Sequence, residues 1–149
     1  MPLGVQQREI EGITILDLSG RLVAGPEAAD LRREFDRLKA KQKNRVILNL
    51  KNLEYIDSTG LGTMVIGHSS ATDAGGAMKL ANLSKRSAQL LILTKLATVF
   101  EIFDDEQAAV NSFFPDREIK RFDILEFVKS HEGEKQEFGA EAVPKPSET

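Results

Sequence analysis

The chain has 149 residues, 41% hydrophobic and 29% charged, with a formal net charge of −3 and a pI near 5.5. That is enough for one substantial core plus a tail, and its acidic balance argues against general nucleic-acid binding, which needs a basic face to displace counterions from phosphates. Cysteine is absent and imidazole is limited to His68 and His131, which excludes disulfides, thiolate metal sites and histidine-rich clusters.

In chain order, "VQQREIEGITILDLSG" reads as two short strands joined by a tight turn at Glu11-Gly12. The second strand, Ile13 to Leu18, is apolar on both faces and is expected to be central. "GPEAADLRREFDRLKAK" places Pro26 at a first helical position after Gly25, with Ala28, Leu31, Phe35 and Leu38 at helical spacing. Arg45 to Leu50, "RVILNL", is a run of the kind that a parallel sheet buries on both faces. Leu61, Met64, Val65 and Ile66 predict a helix to about Ala74, stopped by Gly75-Gly76. "AMKLANL" is a further strand, Ser84 caps a third helix through Leu91 and Ile92, and "TVFEIF" is a short strand. Asp104 or Asp105 then caps a fourth helix ending near Phe113-Phe114-Pro115. Strands alternating with helices imply βαβ units with right-handed crossovers, an α/β fold with a mostly parallel sheet.

The expected organisation is a domain over residues 1–115 and an extension over 116–149. In the extension, Phe122, Leu125 and Val128 are spaced for a short amphipathic helix, although Phe122, Ile124 and Phe127 also fit a strand. The polar end, "HEGEKQEFGAEAVPKPSET", has little to bury and is expected to be disordered. No run approaches the roughly 18 apolar residues of a membrane span, and "MPLGVQQREI" lacks the features of a signal peptide, so a cytoplasmic protein is expected.

One stretch carries more than fold information: "EYIDSTGLGTMVIG", residues 54–67. Asp57 or Ser58 can cap a helix there by accepting a hydrogen bond from a first-turn N–H. Capping leaves two glycines unexplained, Gly60 and Gly62, since each costs about 1 kcal/mol inside a helix. A helix end open to close approach by another molecule would have such a surface. Hydrolase chemistry fails on geometry: Ser58 is in no G-x-S-x-G elbow, and His68, on the same helix, lies about 15 Å away at 1.5 Å per residue. His131 falls in the tail. No G-K-[ST] follows the glycines and the dinucleotide spacing is missing. An aspartyl-phosphate at Asp57 would need an acidic pair for magnesium, which the early chain lacks. Phosphorylation of Ser58 fits better, because a helix N-terminus favours an anion while a docked partner would meet a new dianion.

The element order together with "VILNLKNLEYIDSTGLG" resembles the STAS domain, specifically the bacterial anti-anti-sigma factors, also called anti-sigma factor antagonists. The resemblance covers about residues 3–114 and implies a STAS-like fold of about five strands and about four helices. By that likeness Ser58 is the phosphoacceptor, Asp57, Thr59, Gly60, Leu61 and Gly62 form the partner-binding surface, and the protein is not itself an enzyme. The implied mechanism is partner switching. The unphosphorylated chain binds an anti-sigma factor serine kinase and frees a sigma factor; the kinase phosphorylates Ser58, and a PP2C-type phosphatase resets it. No cofactor is implied for this chain, the ATP being used by the kinase. Many relatives carry an acidic residue in the loop after the second strand, where this sequence has Val23, with Glu27 nearby. The extension lies outside the likeness; covering apolar surface, pairing two copies as a homodimer and binding something else are all open to it, with a structural cover expected. The alternative function is a constitutive scaffold subunit of a lipid-transport or other signalling assembly.

Overall fold

Glu11 and Gly12 both take positive φ, 52° and 82°, so the chain folds back at once into a hairpin of β1 (Leu3–Ile10) and β2 (Ile13–Leu22). The structure, a computed structural model, describes residues 2–118 and 122–130. After the hairpin come α1 (Pro26–Ala40), β3 (Arg45–Ile56), α2 (Ser58–Asp73), β4 (Ala77–Ala81), α3 (Lys85–Leu93), β5 (Glu101–Phe103), α4 (Glu106–Asn111) and α5 (Ile124–Ser130). The five strands lie in the order β1-β2-β3-β4-β5, antiparallel only between β1 and β2. β2 is therefore an interior strand as its apolar composition requires, but the middle place belongs to β3.

The register aligns Leu16, Leu48 and Leu80 on neighbouring strands, all three 0% exposed. Burying such a leucine contributes about 2 kcal/mol. This face packs against Leu31, Phe35 and Leu38 of α1, Leu61 and Met64 of α2, and Ala88 and Leu91 of α3. The packing of α1 on α2 depends on Gly67, where a Cβ would lie 2.5 Å from the Phe35 ring. The opposite face, with Ile13, Ile15, Ile47 and Ala81, is covered by Ala109 and Val110 of α4.

That second face also carries an ionic corner. Arg8 donates two hydrogen bonds to the Asp17 carboxylate, 2.6 and 2.8 Å, and reaches Glu106 of α4 at 2.6 Å. Asn49 donates to Asp17, and Asn82 donates to Asn49. The Arg8 bonds hold Asp17 below the usual carboxylate range, outweighing the opposing effect of partial burial. Elsewhere on this side Lys79, 6% exposed, donates to Ser112 Oγ at 2.9 Å, pairs with Glu101 at 3.1 Å and stands over the Phe113 ring at 4.2 Å. The Lys79 ammonium thus has both a hydrogen-bond acceptor and a counter-charge, as an interior cation requires.

Several expected boundaries move. β3 continues to Ile56 rather than ending at Leu50, because its last residues pair with a β2 that itself runs on to Leu22. α4 is capped by Asp105, whose side chain accepts from the Ala108 amide. The extension forms a helix rather than a strand, but Leu125, expected on its apolar face, is 65% exposed; Ile124, Phe127 and Val128 pack on the α3 side of the core instead. The stretch expected to be disordered lies outside the described residues.

Candidate functional site

The site stands where β2 and β3 outrun the rest of the sheet. β1 pairs no further along β2 than Gly20, and β4 no further along β3 than Asn49, so Arg21–Leu22 and Tyr55–Ile56 pair only with each other. α2 starts directly from that arm. Asp57 is its N-cap in extended conformation, and Asp57 Oδ1 accepts from the Gly60 amide at 2.8 Å. Asp57 Oδ2 accepts from the Ala24 amide at 3.0 Å, across the loop between β2 and α1. The Asp57 amide in turn donates to the Leu22 carbonyl at 3.2 Å. Both carboxylate oxygens are thus engaged by backbone N–H groups.

The segment 57–62 divides by direction. Ser58, Thr59 and Gly62 are exposed. Gly60 is buried, and a Cβ there would lie 2.3 Å from the Leu22 carbonyl oxygen; Leu61 is 3% exposed and packs in the core. Of the five residues expected to meet a partner, then, Gly60 and Leu61 serve the interior, Asp57 is part-buried and bonded, and Thr59 and Gly62 are presented outward beside the expected phosphoacceptor Ser58. Gly62 differs from Gly60 and Gly67 in that a Cβ would meet nothing within 4 Å. The packing among the described residues gives no reason for a glycine there.

One turn beyond Gly62, Ile66 is 40% exposed although sequence spacing placed it with the apolar positions of the helix. The line Ser58, Gly62, Ile66 follows i, i+4 spacing and so marks one helix face. Arg21 lies over the ring of its register partner Tyr55, 5.1 Å from the centroid. His68 is turned into the protein, its ring 5.5 Å from Phe100 in an edge arrangement, with Nδ1 buried and lacking a partner among the described residues. Among the described residues Ser58 therefore has no imidazole base. The first-turn amides of α2 have no acceptor within the helix, so the Ser58 hydroxyl sits where a negative charge is favoured.

The STAS domain family model matches residues 5–109. The chain belongs to the STAS domain family. This STAS chain is 29% identical over 112 residues to the anti-sigma F factor antagonist of Paenibacillus polymyxa, covering 74% of the chain and 94% of that protein. It is 35% identical over 71 residues to the anti-sigma-B factor antagonist of Bacillus subtilis (strain 168), covering 48% of the chain and 65% of that protein. Among solved structures, the Bacillus cell-fate determinant SpoIIAA in its phosphorylated form shares the fold with a TM-score of 0.59 at 17% identity, over 74% of this chain and 99% of that one. SpoIIAA is an anti-sigma factor antagonist, and its unphosphorylated form gives a TM-score of 0.58 at 16% identity, over 76% and 99% of the two chains. Among the described residues no helix is long and apolar enough to cross a membrane, and no group of three or more His, Cys, Asp or Glu could hold a metal ion.

Proposed function

We propose that this STAS protein is a cytoplasmic anti-sigma factor antagonist switched by phosphorylation of Ser58. Unphosphorylated, it docks the exposed α2 face on an anti-sigma factor serine kinase, which then releases its sigma factor. Phosphate transferred from the kinase's ATP to the Ser58 hydroxyl ends that association, and a PP2C-type phosphatase restores it. The protein is the binder and the substrate, with no catalysis of its own.

The observation that carries this reading is the exposed hydroxyl of Ser58 one helical turn from Gly62, a glycine that no contact among the described residues requires. A partner's backbone can approach closely there, and about −1.5 to −2 charges added at Ser58 would lie inside such a contact. The helix N-terminus offsets that charge in the free protein, so binding is altered without unfolding. The curated relatives named as antagonists and the solved phosphorylated form of SpoIIAA support the same reading.

The test is a pair of variants returned to the protein's own cells. Ser58→Ala is expected to co-isolate a kinase permanently, and Ser58→Asp to lose it with a melting temperature within a few degrees of the parent. Phosphopeptide mapping of the parent should show a condition-dependent phosphorylated fraction at Ser58. Equal partner capture by both variants, with Ser58 unmodified throughout, would overturn the switch and favour the constitutive scaffold.

A further inference from the structure

The loop between β2 and α1 lacks a fastening of its own. Gly25, the N-cap of α1, takes φ 108° and makes no side-chain cap, and Val23 and Ala24 bring no polar side chain. Within the loop, Val23 and Gly25 only pass carbonyls to the first amides of α1, Ala28 and Ala29. The Ala24 amide points the other way and is taken by Asp57, 33 residues later in the chain. Together with the Asp57 amide on the Leu22 carbonyl, this makes a two-way strap between segments 22–24 and 57–60.

We infer that Asp57 is a positioning residue: its carboxylate holds the β2–α1 loop beside Ser58, so that loop and helix end form one preorganised docking face. The inference rests on the proposed function for what docks there, and on geometry alone for what Asp57 does. Ala24 and Gly25 of the loop and Pro26 at the start of α1 are exposed, as Ser58, Thr59 and Gly62 are on α2, and none of the six is charged. The Asp57 charge is spent on two amides. A phosphate at residue 58 therefore changes the charge of a face whose shape is already set.

Asp57→Asn separates the two duties. Asparagine is a good N-cap, so its oxygen can still accept from Gly60, but its second polar atom is an NH2 that cannot accept from Ala24. The experiment is amide hydrogen exchange of the full chain followed by NMR, paired with the phosphorylated fraction at Ser58 measured by mass spectrometry in the protein's own cells. In Asp57→Asn the Ala24 amide is expected to exchange at least tenfold faster while α2 amides beyond the first turn keep their protection. The Ser58 phosphorylated fraction should fall about tenfold. Ser58→Glu should leave Ala24 exchange within twofold of the parent. Asp57→Ser, which caps with a single short hydroxyl, provides the same test if the asparagine variant does not fold.

Unchanged Ala24 exchange in the variants would overturn the inference, as would a freed Ala24 amide with an unchanged phosphorylated fraction. If Ser58 carries no phosphate even in the parent, the proposed function fails, and Ala24 exchange still decides whether Asp57 holds the loop.

Discussion

Asp17 and Asp57 are both carboxylates with both oxygens occupied, at two different corners of one sheet. Asp17 is met by side chains, the Arg8 fork and the Asn49 amide, and through Arg8 it reaches Glu106 on α4. Asp57 is met by the backbone amides of Ala24 and Gly60, and the surface around it is small and neutral. The first arrangement fastens a helix to the sheet with charge. The second uses charge to fix a shape and leaves Ser58, Thr59 and Gly62 as a small, uncharged outer patch, the kind of face on which the proposed added charge would act.

The difference can be broken most severely at Gly60. Alanine there would drive its Cβ against the Leu22 carbonyl, a backbone atom that cannot move alone. Gly60→Ala should lower stability by about 2 to 3 kcal/mol, read from denaturant unfolding.

At the other corner, Asp17→Asn should cost about 1 kcal/mol at pH 7, because solvent around the half-exposed Arg8 screens part of the pair. The pH dependence has a definite sign. With Asp17 held below its ordinary value in the folded state, its contribution is complete above the unfolded value of about 4 and is lost as pH falls through the lower folded value. The asparagine variant should therefore show a flatter loss of stability below about pH 4, measured as melting temperature against pH.

Gly62→Ala sharpens the contrast from the opposite side. With open space around the position, alanine should stabilise α2 by about 0.5 to 1 kcal/mol, yet weaken capture of the partner that Ser58→Ala co-isolates by about tenfold. A variant that gains stability and keeps its binding would remove the reason given for this glycine. Ile66→Ser should alter stability by no more than about 0.5 kcal/mol, since the side chain is already 40% exposed, and should weaken the same capture. Unaltered binding would confine the docking face to the first turn of α2.

Much of this was legible beforehand because local chemistry and tertiary structure agree. The turn at Glu11-Gly12, Pro26 opening α1, and Ser84 capping α3 through the Ser87 amide are each written in two or three residues. The β–α alternation predicted the parallel sheet. What escaped depended on distant pairing. The length of β3 is set by β2, and the register shifts along that pair have no local signature. At the site, spacing could not tell Gly60 from Gly62, since one is demanded by a carbonyl 38 positions earlier and the other by nothing among the described residues. Nor could any side-chain motif have found Ala24, which contributes only its amide. Ile66 and Leu125 were misread for one reason: helical periodicity marks apolar faces, and not which of them a neighbour covers.

The stacking of Arg21 on Tyr55 has a practical consequence. Tyr55 is the one tyrosine of a chain without tryptophan, and it stands three residues before Ser58. Tyrosine emission, excited at wavelengths where phenylalanine does not absorb, therefore originates near the end of α2 that carries Ser58, under the Arg21 guanidinium. The proposed docking and phosphate transfer at Ser58 would then be read in the protein's own light, in real time and without an attached dye.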